Sequence, residues 1–223
     1  SFLMYSFTEA LWLKLFRMDN ILINRFKLEN SFSEKNDFIA GIDEVGRGAL
    51  AGPVVAGIVI FQRQDFSWID QINDSKLLSK INRETLANLI RENTIWSIGS
   101  VSNHVIDQIG IEASVSFAME LAIEQLEIKP SILLVDGNVK LPSVSIRYEN
   151  IIKGDQKSAS IAAASIIAKV YRDACLLQLD SIFPLYGFAS NAGYGTKTHI
   201  DTLKSIGPAT IHRNSFKPVK DLV

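Results

Sequence analysis

A mixed α/β fold, one sheet with helices packed against it, is what the order of patterns along this chain predicts. Three observations lead there. Short branched apolar runs bounded by Gly and Pro come first, a helix–strand alternation follows, and no repeat, low-complexity tract or Pro/Gly-rich linker divides residues 38–223. Residues 1–37 are set apart as a loosely attached N-terminal extension or entry helix, and 38–223 as one domain.

Each element has its own signature. "FIAGIDE" (38–44) and "VVAGIVIF" (54–61) read as short buried strands, and "TIWSIGSVS" (94–102) alternates as a third. "SILLVD" (131–136) follows Pro130 and reads as a fourth strand covered on both faces, with "VSIRYEN" (144–150) a weaker fifth. Helical spacing covers 79–93, with Leu86, Leu89 and Ile90 on one side. It returns over 111–127, where Val115, Met119, Ala122 and Leu126 form a stripe. The longest helix, 158–180, contains Ala162-Ala163-Ala164, small side chains that let a helix lie close to a sheet. Residues 184–223 read as loops with short helical pieces.

Composition narrows the class. The chain has 223 residues, 47% hydrophobic and 21% charged, a mean hydropathy of +0.15 and a formal net charge of −1. That balance advertises no polyanion partner, although local fields can differ from the total. The stretch 191–223 holds five Lys or Arg against two acids, so it is locally basic. Cys175 is the single cysteine, which excludes an intramolecular disulfide and a cysteine-based zinc site and suits a reducing cytoplasm. "SFLMYSFTEALWLKLFRM" is interrupted by Glu9, Lys14 and Arg17, too often for a membrane span, and lacks the layout of a signal peptide.

The chemistry concentrates in carboxylates at element ends. Asp43 and Glu44 close the first strand, Asp136 closes the fourth at "LLVDGN", and Asp155 lies in "IIKGDQKS" before the long helix. Converging carboxylates repel, and hard cations such as Mg²⁺ relieve that repulsion through oxygen ligands. Two such ions about 4 Å apart activate a water and stabilise a leaving oxygen in phosphodiester chemistry. Taken singly, each acid has a plainer role: "VDG" is a common turn, and Asp155 could cap the helix starting near Ser158. Neighbouring strand residues point to opposite faces, so Asp43 and Glu44 share a site only if the strand ends or twists there. "GRGALA" also fits a dinucleotide-binding glycine pattern, but that pattern must open a helix. Here Gly52-Pro53 and a branched apolar run follow instead, and the two acids would repel a pyrophosphate.

"GIDEVGRGALAGPVVAGIVI", "DSKLLS" (74–79), "LLVDGN", "KGDQKSASIAAASIIAKVYRD" (153–173) and "NAGYGTKTHIDTLKSIGPATIHRNSF" (191–216), in this order, closely resemble bacterial ribonuclease HII, the type 2 ribonuclease H family. The resemblance runs from about Ile39 to Phe216. It implies a ribonuclease H-like fold and an endonuclease that cuts RNA in RNA–DNA hybrids and incises 5′ of single ribonucleotides in duplex DNA. The products it implies carry 3′-hydroxyl and 5′-phosphate ends. It further implies that Asp43, Glu44, Asp136 and Asp155 form the catalytic, metal-binding set for two Mg²⁺ or Mn²⁺ ions, with Asp136 bridging them. By the same likeness, Gly46, Arg47 and Gly48 approach the sugar-phosphate backbone, the main chain reads the 2′-hydroxyl, and Tyr194 packs on the junction sugar.

Lys76 and Lys169 match family positions suited to phosphates, while His199 and His212 take structural or phosphate-contact roles. Arg172-Asp173 is expected as a helix-surface or buried ion pair. Two departures stand out: Ala49 replaces a frequent proline, which would loosen the loop, and Ala192 replaces a frequent lysine, which would remove a phosphate contact. The type 3 relatives carry another loop and a folded N-terminal domain for which 37 residues are too few. A cytoplasmic monomer acting on hybrid duplexes is the expectation, and a catalytically silent hybrid-binding module is the alternative that the four intact acids argue against.

Overall fold

The computed structural model describes residues 25–32, 38–72 and 78–223. Lys76, and most of the amino-terminal segment assigned as an extension, lie outside them. Among the described residues the sheet has five strands: β1 (Ile39–Val45), β2 (Val54–Ile60), β3 (Ile95–Val101), β4 (Ile132–Asp136) and β5 (Arg147–Ile151). Their order is β3-β2-β1-β4-β5. The first three are antiparallel neighbours, and β4 and β5 add in parallel, so the sheet is mixed as the pattern order predicts. All seven residues of β2 are buried, which explains its unbroken run of apolar residues.

The described helices, in chain order, are α1 (Lys27–Phe32), α2 (Lys80–Asn93), α3 (Asn103–Ile109), α4 (Ile111–Glu124), α5 (Ala159–Ile182), α6 (Phe188–Asn191) and α7 (Lys197–Ile206). α4 covers one face of the sheet, where Val115, Met119 and Ala122 meet Ala40, Ile42, Ile58 and Val135. α5 covers the other face together with α2, packing Ala162, Ala163, Ala164 and Ile166 against Val59, Leu86 and Ile90. Close approach by α5 has a requirement written in the strands: a Cβ on Gly41 would collide with the Ile161 amide nitrogen, and one on Gly57 would lie 2.5 Å from the Ala164 carbonyl oxygen. α3, a separate seven-residue helix, falls in a stretch too short and polar to show a helical stripe.

The described part of the amino-terminal segment packs against the domain. Phe26 is buried and meets Phe61 edge-on at 5.1 Å, and Glu29 of α1 is buried at the start of α5. There Glu29 Oε1 accepts from Ser158 Oγ (2.6 Å), Ser160 N (2.9 Å) and Ser160 Oγ (2.7 Å). Ser158 is the N-cap proper, its hydroxyl accepting from Ile161 N, so Asp155 does not serve as that cap. A third apolar cluster joins Leu50, Ala51 and Leu176 to Tyr186, Phe188, Leu203 and Val219, binding the C-terminal segment beneath the loop that follows β1. No described helix is long and apolar enough to cross a membrane.

Candidate active site

Three of the acids, Asp43, Glu44 and Asp136, lie where β1 and β4 end side by side. The parallel register pairs Ile42 with Val135, so the next residues, Asp43 and Asp136, stand at neighbouring strand ends. Asp43 is buried, its Oδ1 accepts from the Glu44 amide at 2.7 Å, and Ser165 of α5 hydrogen-bonds its carboxyl. Burial, then the charges of Glu44 and Asp136, hold the Asp43 carboxyl well above its ordinary range. Glu44 is also raised by burial, partly offset by Arg47 and reinforced by Asp136. Its Oε1 lies 3.7 Å from Arg47 Nη1, and Arg47 Nη2 lies 3.8 Å from Glu112 of α4. β1 keeps its pairing with β2 through both acids, Asp43 opposite Gly57 and Glu44 opposite Ala56; it stops at Val45, Gly46 turns with φ +88°, and the charge of Asp136 acts on both acids.

Asp136 is aimed by the segment that carries Asp155. Its Oδ1 accepts from Gly154 N at 2.6 Å, and Gly154 opens the 3-10 turn Gly154–Gln156 that leads into α5. A Cβ on Gly154 would come within 3.1 Å of that oxygen and 2.5 Å of Ile161 Cδ1, so a larger residue here would push on both side chains. As the side chains stand, no three His, Cys, Asp or Glu groups among the described residues close around one point as a finished metal shell. The set nevertheless fits hard divalent cations. It is all carboxylate oxygen, and Asp43 is enclosed beside like charges that a cation would neutralise.

The loop after β1 is held from below. Arg213 is fully buried and donates from Nε to Gly52 O and from Nη1 to Arg47 O, both at 3.0 Å. Ala49 N returns to Gly46 O at 3.3 Å, closing a tight turn. The Arg47 and Gly48 amides make no hydrogen bond among the described residues. Because carbonyl and N–H of a trans peptide point opposite ways, fixing the Arg47 carbonyl inward turns the Gly48 amide outward. Ala49 is buried, between the Arg47 and Gly52 carbonyls that Arg213 holds.

Tyr194 stands at the rim, 36% exposed, with its ring centroid 5.5 Å from the Arg172 guanidinium carbon. Arg172 is fully buried and is not paired with Asp173: it donates to Pro53 O (2.9 Å), Ala192 O (2.8 Å) and Ala51 O (3.0 Å). Asp173 instead binds Lys169 Nζ at 2.7 Å and Arg83 at 3.3 Å, so Lys169 is engaged within the protein. His199 and His212 are both fully buried, Nε2 to Nε2 at 3.0 Å, against Tyr186 and Phe188, which leaves them a structural role.

Sequence reasoning missed Arg172 and Arg213 as anchors. A signal for Arg172 exists: with Ser165, Ala168 and Leu176 it occupies the buried stripe of α5, an arginine where an apolar residue belongs. Arg213 was counted toward a basic tail, from which burial removes it.

The chain resembles known proteins over most of its length. The ribonuclease HII family profile matches residues 40–219. A ribonuclease HII of Lactobacillus acidophilus is 49% identical over 209 residues, covering 93% of this chain and 82% of its own. The crystal structure of ribonuclease H2 from Pyrococcus horikoshii OT3 superposes with a TM-score of 0.71 at 25% identity, covering 83% of this chain and 96% of that one. Bst-RNase HIII in complex with Mn²⁺ shares the fold, with a TM-score of 0.64 at 18% identity over 86% of this chain and 71% of its own.

Proposed function

Since the chain belongs to the ribonuclease HII family, and is an endoribonuclease acting on the RNA strand of RNA–DNA hybrids, we propose that it also incises duplex DNA 5′ of a single embedded ribonucleotide, using two divalent cations. The observation that carries this reading is the junction of two features: carboxylates packed beside one another at the ends of β1 and β4, and a loop directly after β1 whose Gly48 amide faces outward.

Asp43, Glu44, Asp136 and Asp155 would hold the cations, Mg²⁺ or Mn²⁺ by the hardness of their oxygen donors. Bound there, the cations would activate the attacking water and stabilise the leaving 3′-oxygen. The chain's own residues do the rest. Gly154 N keeps Asp136 turned into the site at 2.6 Å, and Ser165 with the Glu44 amide fixes Asp43. Arg47, half exposed, lies between Glu44 and the solvent-exposed Glu112, where it can meet a phosphate beside the acids. Gly48 has nothing within 4 Å of where a Cβ would be, so the backbone is bare where a sugar would approach. An outward amide there suits the 2′-hydroxyl, which accepts as well as donates and distinguishes RNA from DNA at one nucleotide. Tyr194 offers its exposed ring to the same sugar.

The test is cleavage of a labelled DNA duplex with one ribonucleotide, in Mg²⁺ or Mn²⁺ and in EDTA, with Asp136→Asn alongside. Metal-dependent incision on the 5′ side, reduced at least about a hundredfold in Asp136→Asn, is the expected outcome. Cutting of continuous hybrids but not of the single-ribonucleotide duplex would refute the finer part of the proposal.

A further inference from the structure

Two fully buried guanidiniums beneath the site have no carboxylate partner among the described residues. Between them they take five main-chain carbonyls: Arg47, Ala51, Gly52, Pro53 and Ala192. Burying an unpaired cation is costly, and two near each other cost more. The burial and the neighbouring Arg172 charge together bring the Arg213 pKa down to about 9. Apolar side chains would fill the same space more cheaply, so what the guanidiniums supply is direction.

We infer that Arg172 and Arg213 are positioning residues that set the specificity for a ribonucleotide, by locking the carbonyls of the Gly46–Gly52 loop inward and tying that loop to Tyr194. The inference rests on the reading of the loop and Tyr194 given above. Arg213 acts on the Arg47–Gly48 peptide, whose amide faces outward because its carbonyl is held at 3.0 Å. Arg172 spans the two recognition segments: Pro53 O and Ala51 O belong to one, Ala192 O and the face of Tyr194 to the other. The segments also join directly, Leu50 N and Ala51 N both reaching Gly193 O, at 2.8 and 3.3 Å.

The glycines fit this assignment. A Cβ at Gly46 would land on Arg172 Nε, and one at Gly193 would sit 2.6 Å from Ala51 O and 3.4 Å from Arg172 Nη2. Both glycines therefore make room for the clamp inside the protein. Gly48 alone of the loop's first pair stands open to a ligand.

The test measures binding without cleavage. In an Asp136→Asn background with Mg²⁺, fluorescence anisotropy compares a duplex containing one ribonucleotide with the all-DNA duplex of the same sequence. Arg172→Lys and Arg213→Lys keep the charge and lose the fork of donors. In either, the preference for the ribonucleotide duplex should fall by about tenfold, the worth of one well-placed hydrogen bond, while all-DNA affinity stays within about twofold. Circular dichroism at the assay temperature establishes that the variants are folded, and Gln at either position supplies the same readout where lysine is not accommodated. A folded variant that keeps the full preference, or that loses affinity for both duplexes in proportion, overturns the inference and leaves the loop reading intact. Equal binding of both duplexes by the Asp136→Asn background itself refutes the loop reading and this inference with it.

Discussion

Asp43 ends nearly enclosed beside Glu44 and within the field of Asp136, so ionising it in the metal-free protein works against burial and two like charges. A carboxyl whose folded pKa is raised contributes stability below its unfolded value and loses that contribution as pH rises through the folded one. At neutral pH the ionised form is therefore a net cost to folding. Asp43→Asn should raise the melting temperature of the metal-free protein by about 2 °C or more while abolishing cleavage. The gain should shrink as the buffer is acidified, since wild-type Asp43 then takes up its own proton. Added Mg²⁺ should raise the wild-type melting temperature more than that of the variant, because only the wild type has the full set of repelling charges to neutralise. A variant that melts lower than wild type at neutral pH would contradict this account, and calorimetry reads it directly.

At the scale of elements, α1 and α5 are joined by one side chain. Glu29 brings a carboxylate to the first turn of α5, accepting from a backbone amide and two hydroxyls, where the helix dipole favours negative charge. The same turn follows directly on the Gly154–Gln156 segment that aims Asp136. Glu29→Ala should cost about 2 kcal/mol, a lost cap together with stranded buried donors, measurable by urea denaturation. Specific activity should fall as well, because the loosened first turn of α5 lets the Gly154 amide drift from Asp136. A shift in the urea midpoint below a tenth of the wild-type value would show that α1 merely lies on the surface.

The molecule as a whole closes on itself through its C-terminal segment, and the buried histidine pair gives that closure a pH signature. Burial lowers both imidazoles, His212 to about 4. Histidines held neutral stabilise the fold above the unfolded pKa of about 6.5, and that contribution is lost as pH falls toward the folded value. Stability should therefore decline by about 2 kcal/mol between pH 6.5 and 4.5 in a series of denaturant titrations, and His212→Asn should flatten that slope. How much of all this was readable beforehand divides along physical lines. Branched runs ending in Asp or Gly announced the strands, and small residues announced α5, because those patterns are local. The short α3 carried too few apolar residues to register. Arg172 and Arg213 escaped because their partners are carbonyls, which every residue possesses and no sequence distinguishes. Arg172-Asp173 looked like a pair because the charges are adjacent, yet adjacent helical residues diverge, and Asp173 meets Lys169 one turn back.

Gly46 and Gly48 look interchangeable in the written motif, yet they answer to different masters. The first is demanded by the protein, since Arg172 fills the space beside it; a Cβ on the second would meet nothing within 4 Å. Inheritance of the first is thus enforced at folding and of the second only at work. A population of random variants sorted for expression alone would keep glycine at 46 and drift at 48. The same population sorted for nuclease action would hold both, so two positions a residue apart separate the ability to exist from the ability to act.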